Sequence, residues 1–176
     1  MRRAALLLLA LVWVGSLSAT NLNWEKSNAH VGLNPGTPDG REGGETIASA
    51  IAIPSIPFTD TGNICDNLDD YDEECDEGIS DSPDVVYVFV PSEDGGISIN
   101  LCHSSYDTKV IVYEGAYTPG SPYACNDDYW DDTGICFEYS SFIGGMIVSS
   151  GTPYFIVVDG YDGDCGDYQL DVSSIL

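Results

Sequence analysis

VVYVFV (residues 85–90), ISINL (97–101), KVIVY (109–113) and YFIVV (154–158) are the segments that decide the fold. Each is short and rich in β-branched and aromatic residues, and Gly, Pro, Asp and Ser fill the connections, which is typical of β-strands. We predict further strands at 45–53, 141–148 and 167–172. Short strands with turn-rich connections predict an all-β protein, an antiparallel jelly-roll β-sandwich.

The apolar pattern within the segments indicates which strands are central. In ISINL, Ile97, Ile99 and Leu101 alternate with polar residues, so one face of this strand should meet water. DYQLDV (167–172) alternates in the same way. VVYVFV is apolar throughout, which predicts a central strand buried on both faces.

The first 19 of the 176 residues, MRRAALLLLALVWVGSLSA, have the layout of a secretory signal peptide. The apolar run in it is about half as long as a membrane-spanning helix requires. We therefore expect a secreted or cell-surface protein without membrane insertion. Residues 20–44, rich in Gly and Pro near their end, are interpreted as a polar leader or linker, and residues 45–176 as the sandwich domain.

The chain is strongly acidic, with 29 Asp and Glu against 5 Lys and Arg and a net charge of −24. This charge repels phosphate backbones and anionic lipid, so nucleic acid is excluded as a partner. The acidic residues concentrate in the connections at 66–77, 127–132 and 159–167.

The cysteines indicate an oxidising compartment, because an even number in an exported chain favours disulfides. They are Cys65, Cys75, Cys102, Cys125, Cys136 and Cys165. Several pairings are possible, and short spacing favours Cys65–Cys75, Cys102–Cys125 and Cys136–Cys165.

Several segments together resemble the bacterial pre-peptidase C-terminal domain family. They are CDNLDDYDEEC (65–75), SPDVVYVFVP (82–91), YDTKVIVYEG (106–115), ACNDDYW (124–130) and TPYFIVVDGYDGDCGDYQLDV (152–172). The resemblance implies a small secreted jelly-roll β-sandwich, usually appended to hydrolases. It also implies a role in substrate or surface attachment, with no catalysis of its own.

Calcium is the cofactor that the acidic loops indicate, since it binds carboxylate and carbonyl oxygens in extracellular domains. We expect its ligands among Asp107, Asp127, Asp128 and Asp162, on connections that a jelly roll can bring to one end. The alternative is that these clusters are a solvated surface suited to high salt.

Aromatic residues in the same loops predict a ligand-binding surface. Tyr129, Trp130 and Tyr161 can stack on sugar rings or pack on a polymer. The alternative is that such tyrosines cover the ends of the sandwich. Trp130, between Tyr129 and Asp131, is the residue least easily explained as such a cover.

Catalytic motifs such as GxSxG and HExxH do not occur. His103, Ser104 and Ser105 lie near Asp107, a sequence that we interpret as a polar turn. We therefore predict a binding module and not an enzyme, with a surface polymer, a carbohydrate or a secreted protein as its partner.

A rival hypothesis makes the protein a subunit of a surface assembly or fibre, that is, a homo-oligomer. In it the segment Asn21–Val31 adds as a strand to the sheet edge of a neighbouring copy. Leu22, Trp24, Ala29 and Val31 would supply its apolar contacts.

Overall fold

A computed structural model of the chain describes residues 44–75, 78, 80–129, 136 and 138–175. The predicted signal peptide, the leader up to residue 43 and Trp130 lie outside the described residues, and so does the segment Asn21–Val31. The signal peptide and strand addition therefore stay predictions. Within the described ranges, no helix is both long and apolar enough to cross a membrane.

Nine β-strands occur in the described part of the chain. They are β1 (Ile51–Ile53), β2 (Phe58–Asn63), β3 (Val85–Phe89), β4 (Gly95–Asn100), β5 (Thr108–Glu114), β6 (Ala124–Asn126), β7 (Phe142–Val148), β8 (Tyr154–Gly160) and β9 (Asp167–Ile175). The all-β prediction is confirmed. The strand predicted at 45–53 is shorter, because a 3-10 turn (Ile47–Ser49) occupies its first half.

The strands form two sheets, a five-stranded one in the order β1-β3-β8-β5-β6 and a four-stranded one in the order β2-β9-β4-β7. Among the described pairs all are antiparallel except β1 and β3, where Ile51 lies opposite Tyr87 in parallel register. The expectation of purely antiparallel sheets is therefore wrong at this edge. Parallel neighbours need a long crossover, and here β2 in the other sheet and residues 64–84 provide it.

The core lies between the two sheets. Val85, Val110 and Ile156 from the five-stranded sheet pack in one cluster with Ile99 and Leu170 from the four-stranded sheet. In β4 and β9 buried and less buried residues alternate, as predicted for strands with one wet face. The two sheets therefore form a β-sandwich.

The five-stranded sheet is covered on its outer face as well. The described residues of the segment 65–83, here called the acidic strap, cross that face. Tyr71 and Cys75 of the strap pack in one cluster with Val86, Ile111 and Val157. This second cover explains why VVYVFV is apolar throughout.

All six cysteines are paired, as Cys65–Cys165, Cys75–Cys125 and Cys102–Cys136. The prediction of disulfides is confirmed, but the predicted pairings Cys65–Cys75, Cys102–Cys125 and Cys136–Cys165 are wrong. The entropy of loop closure grows only with the logarithm of loop length, so sequence spacing is a weak guide. Strand pairing decides instead, since Asn63 pairs with Asp167 and so brings the flanking Cys65 and Cys165 together.

Replacing Cys75 and Cys125 together by serine tests the attachment of the strap. The two cysteines are 50 residues apart, so the loss of loop-closure entropy predicts a decrease of roughly 4 kcal/mol in the free energy of unfolding. Urea unfolding without reductant measures it. Equal stability of the variant and the parent would contradict a strap clamped to the sheet.

Candidate metal and ligand site

A shallow pocket of about 200 Å³ opens between the acidic loops, lined by Asp107, Asp127, Asp128, Tyr139 and Tyr161. One carboxylate oxygen from each of the three aspartates can be chosen so that all lie within 4.8 Å of one another. The structure thus brings together three of the four aspartates expected to bind calcium. Asp162 is exposed on the next loop and is not part of this group.

These residues lie at the same end of three neighbouring strands of the five-stranded sheet, β8, β5 and β6. Asp107 comes directly before β5 and Asp127 directly after β6, and Val110 pairs with Asn126. Tyr161 follows β8, whose last residue, Gly160, pairs with Thr108. Residues from three neighbouring strands therefore meet at the same end.

Backbone contacts hold Tyr139 at the pocket. The Thr108 N–H donates to the Tyr139 carbonyl (3.1 Å), and the Ser141 N–H donates to Thr108 Oγ1 (2.8 Å). The Ser141 hydroxyl lies 2.7 Å from the Asp127 carbonyl. The loop that carries Tyr139 is thereby attached to the strand ends that carry Asp107 and Asp127.

The loop after β8 is attached in the same way. The Tyr161 N–H donates to the Asp107 carbonyl (3.1 Å), and the Asp107 N–H donates to Asp164 Oδ2 (3.1 Å). Tyr161 therefore has a fixed position next to Asp107 at the rim of the pocket.

The carboxyl group of Asp107 holds its proton more tightly than an ordinary aspartate. Partial burial raises its pKa to about 6, and the charges of Asp128 and Asp127 add to the increase. Its Oδ1 atom is buried and accepts no hydrogen bond from the described residues. This oxygen faces neighbours that disfavour its charge, a situation that a bound cation would reverse.

Lys109 supplies a cation next to the pocket. Its side chain is fully buried, with Nζ 3.7 Å from Asp127 Oδ2 and 5.6 Å from the centre of the Tyr161 ring. Nζ donates a hydrogen bond to the Gly78 carbonyl (2.6 Å). The lysine offsets one of the three negative charges of the pocket, that of Asp127. The charges of Asp107 and Asp128 remain at its opening.

The other predicted binding residues that the structure describes, Tyr129 and Tyr161, are similarly exposed but differ in their surroundings. Tyr161 is partly exposed at the rim, whereas the Tyr129 ring packs on Phe142 with 4.7 Å between centres. Trp130 lies outside the described residues. Tyr139, which was not predicted, is half exposed and lines the pocket.

The residues around His103 have the contacts of a polar turn. His103 Nδ1 lies 3.7 Å from Asp171 Oδ2. The Ser104 hydroxyl accepts from the Gln169 N–H, and the Ser105 hydroxyl accepts from the Asp167 N–H. Both serines thus attach their turn to the start of β9.

Comparison with known proteins gives a distant similarity. No family model matches the chain, and no curated protein matches it. A solved structure with a similar fold is the pre-peptidase C-terminal domain of collagenase from Bacillus anthracis. It is 17% identical, with a TM-score of 0.48, over 71% of this chain and 95% of that one. The likeness concerns the fold and identifies neither a site nor a function.

Replacing Asp128 by asparagine tests the electrostatics of the pocket. Because the Asp128 charge raises the pKa of Asp107, that pKa should fall from about 6 towards its ordinary value. Carboxyl-detected NMR titration of the metal-free protein measures it, with Asp162→Asn as the matched control. An unchanged pKa in Asp128→Asn would contradict the described arrangement.

Proposed function

We propose that the protein is an exported, non-catalytic binding module that attaches to a surface polymer, a carbohydrate or a secreted protein. The pocket between the acidic loops is the proposed attachment site, with calcium as its cofactor. The observation that supports this most directly is the grouping of three carboxylates in one pocket with the partly exposed rings of Tyr139 and Tyr161.

The donor set suits calcium. Calcium takes six to eight oxygen ligands in flexible geometry, and the three aspartates supply hard, charged oxygens within one small space. The Oδ1 atom of Asp107 accepts no hydrogen bond from the described residues, and Asp128 next to it is exposed. Positions would remain for water, backbone carbonyls and a ligand.

The rim suits a polyhydroxylated ligand. Coordination positions left open on calcium accept hydroxyl oxygens, and tyrosine rings pack on the apolar faces of sugars. Tyr139 and Tyr161 line the same pocket as the carboxylates, and part of each residue is accessible. A carbohydrate polymer would therefore find polar and apolar contacts in one pocket. Three disulfides in a small domain are consistent with an extracellular location.

Calcium should bind and stabilise the protein. At a calcium concentration one hundred times Kd the gain is about 2.7 kcal/mol, read from the shift of the thermal midpoint, and calorimetry gives Kd directly. Asp128→Asn should lose most of this gain and Asp162→Asn little of it, since only Asp128 belongs to the group. Equal gains from plain salt would leave only the solvated acidic surface.

Calcium affinity should also depend on pH. The raised pKa of Asp107 means that a proton competes with the metal, so affinity should fall as the pH drops below about 6. One competing proton predicts about a tenfold loss per pH unit below that value. Affinity that stays constant down to the ordinary pKa of aspartate would exclude Asp107 as a ligand.

Attachment should depend on the rim. Tyr161→Ala should weaken calcium-dependent retention on insoluble polysaccharides by about tenfold, the equivalent of about 1.4 kcal/mol of lost stacking. Tyr123→Ala is the matched control, because Tyr123 is similarly exposed and precedes β6 at the end opposite Asp127. Equal loss in both variants would argue against the pocket.

Turnover of peptide, ester or glycoside substrates that His103→Ala abolishes would argue against a non-catalytic role.

A further inference from the structure

The acidic strap is held to the sheet through two fully buried carboxyl groups at one end of the outer face. Asp84 directly precedes β3 and Asp159 lies in β8. Because Val85 pairs with Val158, these two residues come next to each other across the paired strands. Neither is part of the pocket described above.

Each carboxyl group binds a different part of the strap. Asp84 Oδ2 accepts hydrogen bonds from the backbone N–H groups of Asp70 (2.8 Å) and Tyr71 (3.0 Å). Asp159 Oδ1 accepts from the Ser80 hydroxyl (2.8 Å), which also contacts the Gly160 carbonyl (2.7 Å). Both parts therefore contact the same pair of carboxyl groups, beside the separate attachments of Glu73 and Cys75.

The charged groups around Asp84 and Asp159 are mostly acidic, so they disfavour the ionised form of both carboxyl groups. Asp84 faces Asp69 and Asp70 of the strap, and Asp159 faces Asp84, with Lys109 as the cation acting on it and the Tyr106 phenol nearby. The second oxygens, Asp84 Oδ1 and Asp159 Oδ2, accept no hydrogen bond from the described residues. Two full negative charges are thus costly here.

Burial is also the largest cause of the altered proton affinity. Desolvation raises the pKa of Asp84 to about 8, although the two backbone N–H groups act to lower it. Desolvation likewise raises the pKa of Asp159 well above its ordinary value, against the opposing hydrogen bonds and Lys109. Around neutral pH the closed strap therefore retains the proton of Asp84, which an exposed aspartate would release.

We propose that the strap is a reversible, pH-dependent cover, which stays on the sheet while Asp84 and Asp159 hold protons and lifts when both are ionised. The Cys75–Cys125 disulfide keeps the lifted strap tethered, so that it closes again when the pH falls. Opening would expose the apolar outer face around Val86, Ile111 and Val157.

The sign of the effect follows from proton linkage. A carboxyl pKa that is raised in the closed state means that closure binds a proton which opening releases. Closure is therefore strongest below the ordinary pKa of 3.8 and weakens as the pH rises towards about 8, the value for Asp84. Over this range the ratio of open to closed protein should rise roughly tenfold per pH unit for each proton released.

Native-state hydrogen exchange of the full chain measures this ratio, once it is corrected for the intrinsic pH dependence of exchange. In the presence of chelator, the amides of Asp70 and Tyr71 should show an opening constant that rises at least about tenfold per unit between about pH 5 and about pH 8. The Asp84 proton alone gives that slope, and the Asp159 proton makes the rise steeper. The amide of Leu170, in the core strand β9, should show no such rise.

Variants assign the effect to the two carboxyl groups. Asp84→Asn keeps an oxygen for the two N–H donors but cannot ionise, so the rise should flatten, and Asp159→Asn should flatten it independently. Glu93→Gln, at an exposed position before β4, is the matched charge control and should behave as the parent. If Asp84→Asn does not fold, Asp159→Asn and the parent protein still decide.

Three outcomes would overturn the proposal. One is a strap opening constant in the parent that does not change with pH. Another is a rise that persists unchanged in every carboxyl variant that folds. The third is parallel opening of Leu170, which would mean global unfolding. The result is independent of the proposed calcium site, since the measurement is made without metal and neither carboxyl group belongs to that site.

Discussion

The need to cover both faces of the five-stranded sheet governs this structure. One face packs on the four-stranded sheet, and the other, with Val86, Ile111 and Val157, would meet water if the described residues of the acidic strap did not cross it. The chain covers it with its most acidic segment, at the cost of burying Glu73 and Asp84. Hydrogen bonds offset that cost: Glu73 accepts from Tyr113 and Gly120, and Asp84 accepts from Asp70 and Tyr71.

The strands that could be predicted from the sequence are those in which burial of one face makes apolar and polar residues alternate. β4 and β9 show this alternation, and β3, β5 and β8, which are covered on both faces, are apolar along most of their length. β2 (FTDTGN) and β6 (ACN) were missed because the first has a single large apolar residue and the second is only three residues long. In the strap the alternation was present, since Tyr71, Glu73 and Cys75 are buried between exposed residues, but its acidic composition indicated a solvated loop.

The site residues that could be predicted are those that lie directly before or after a recognisable strand. Asp107, Asp127 and Asp128 come next to recognisable strands, so their convergence could be expected. Tyr139 reaches the pocket through contacts with Thr108, from a segment remote in sequence, and no local pattern indicates it. Lys109 stands within an apolar strand and could have been noticed as an exception. The disulfide pairing depends on strand order, which the sequence leaves open.

Lys109 also determines how the folded domain responds to proteases that cleave after basic residues. It is the only lysine or arginine in residues 42–176, and its side chain is fully buried with Nζ bonded to the Gly78 carbonyl. Enzymes that cleave after basic residues must bind that side chain in an extended, accessible segment, whereas Lys109 lies within β5 between two neighbouring strands. While the fold is intact, this stretch of chain therefore presents trypsin-like proteases with no accessible cleavage site.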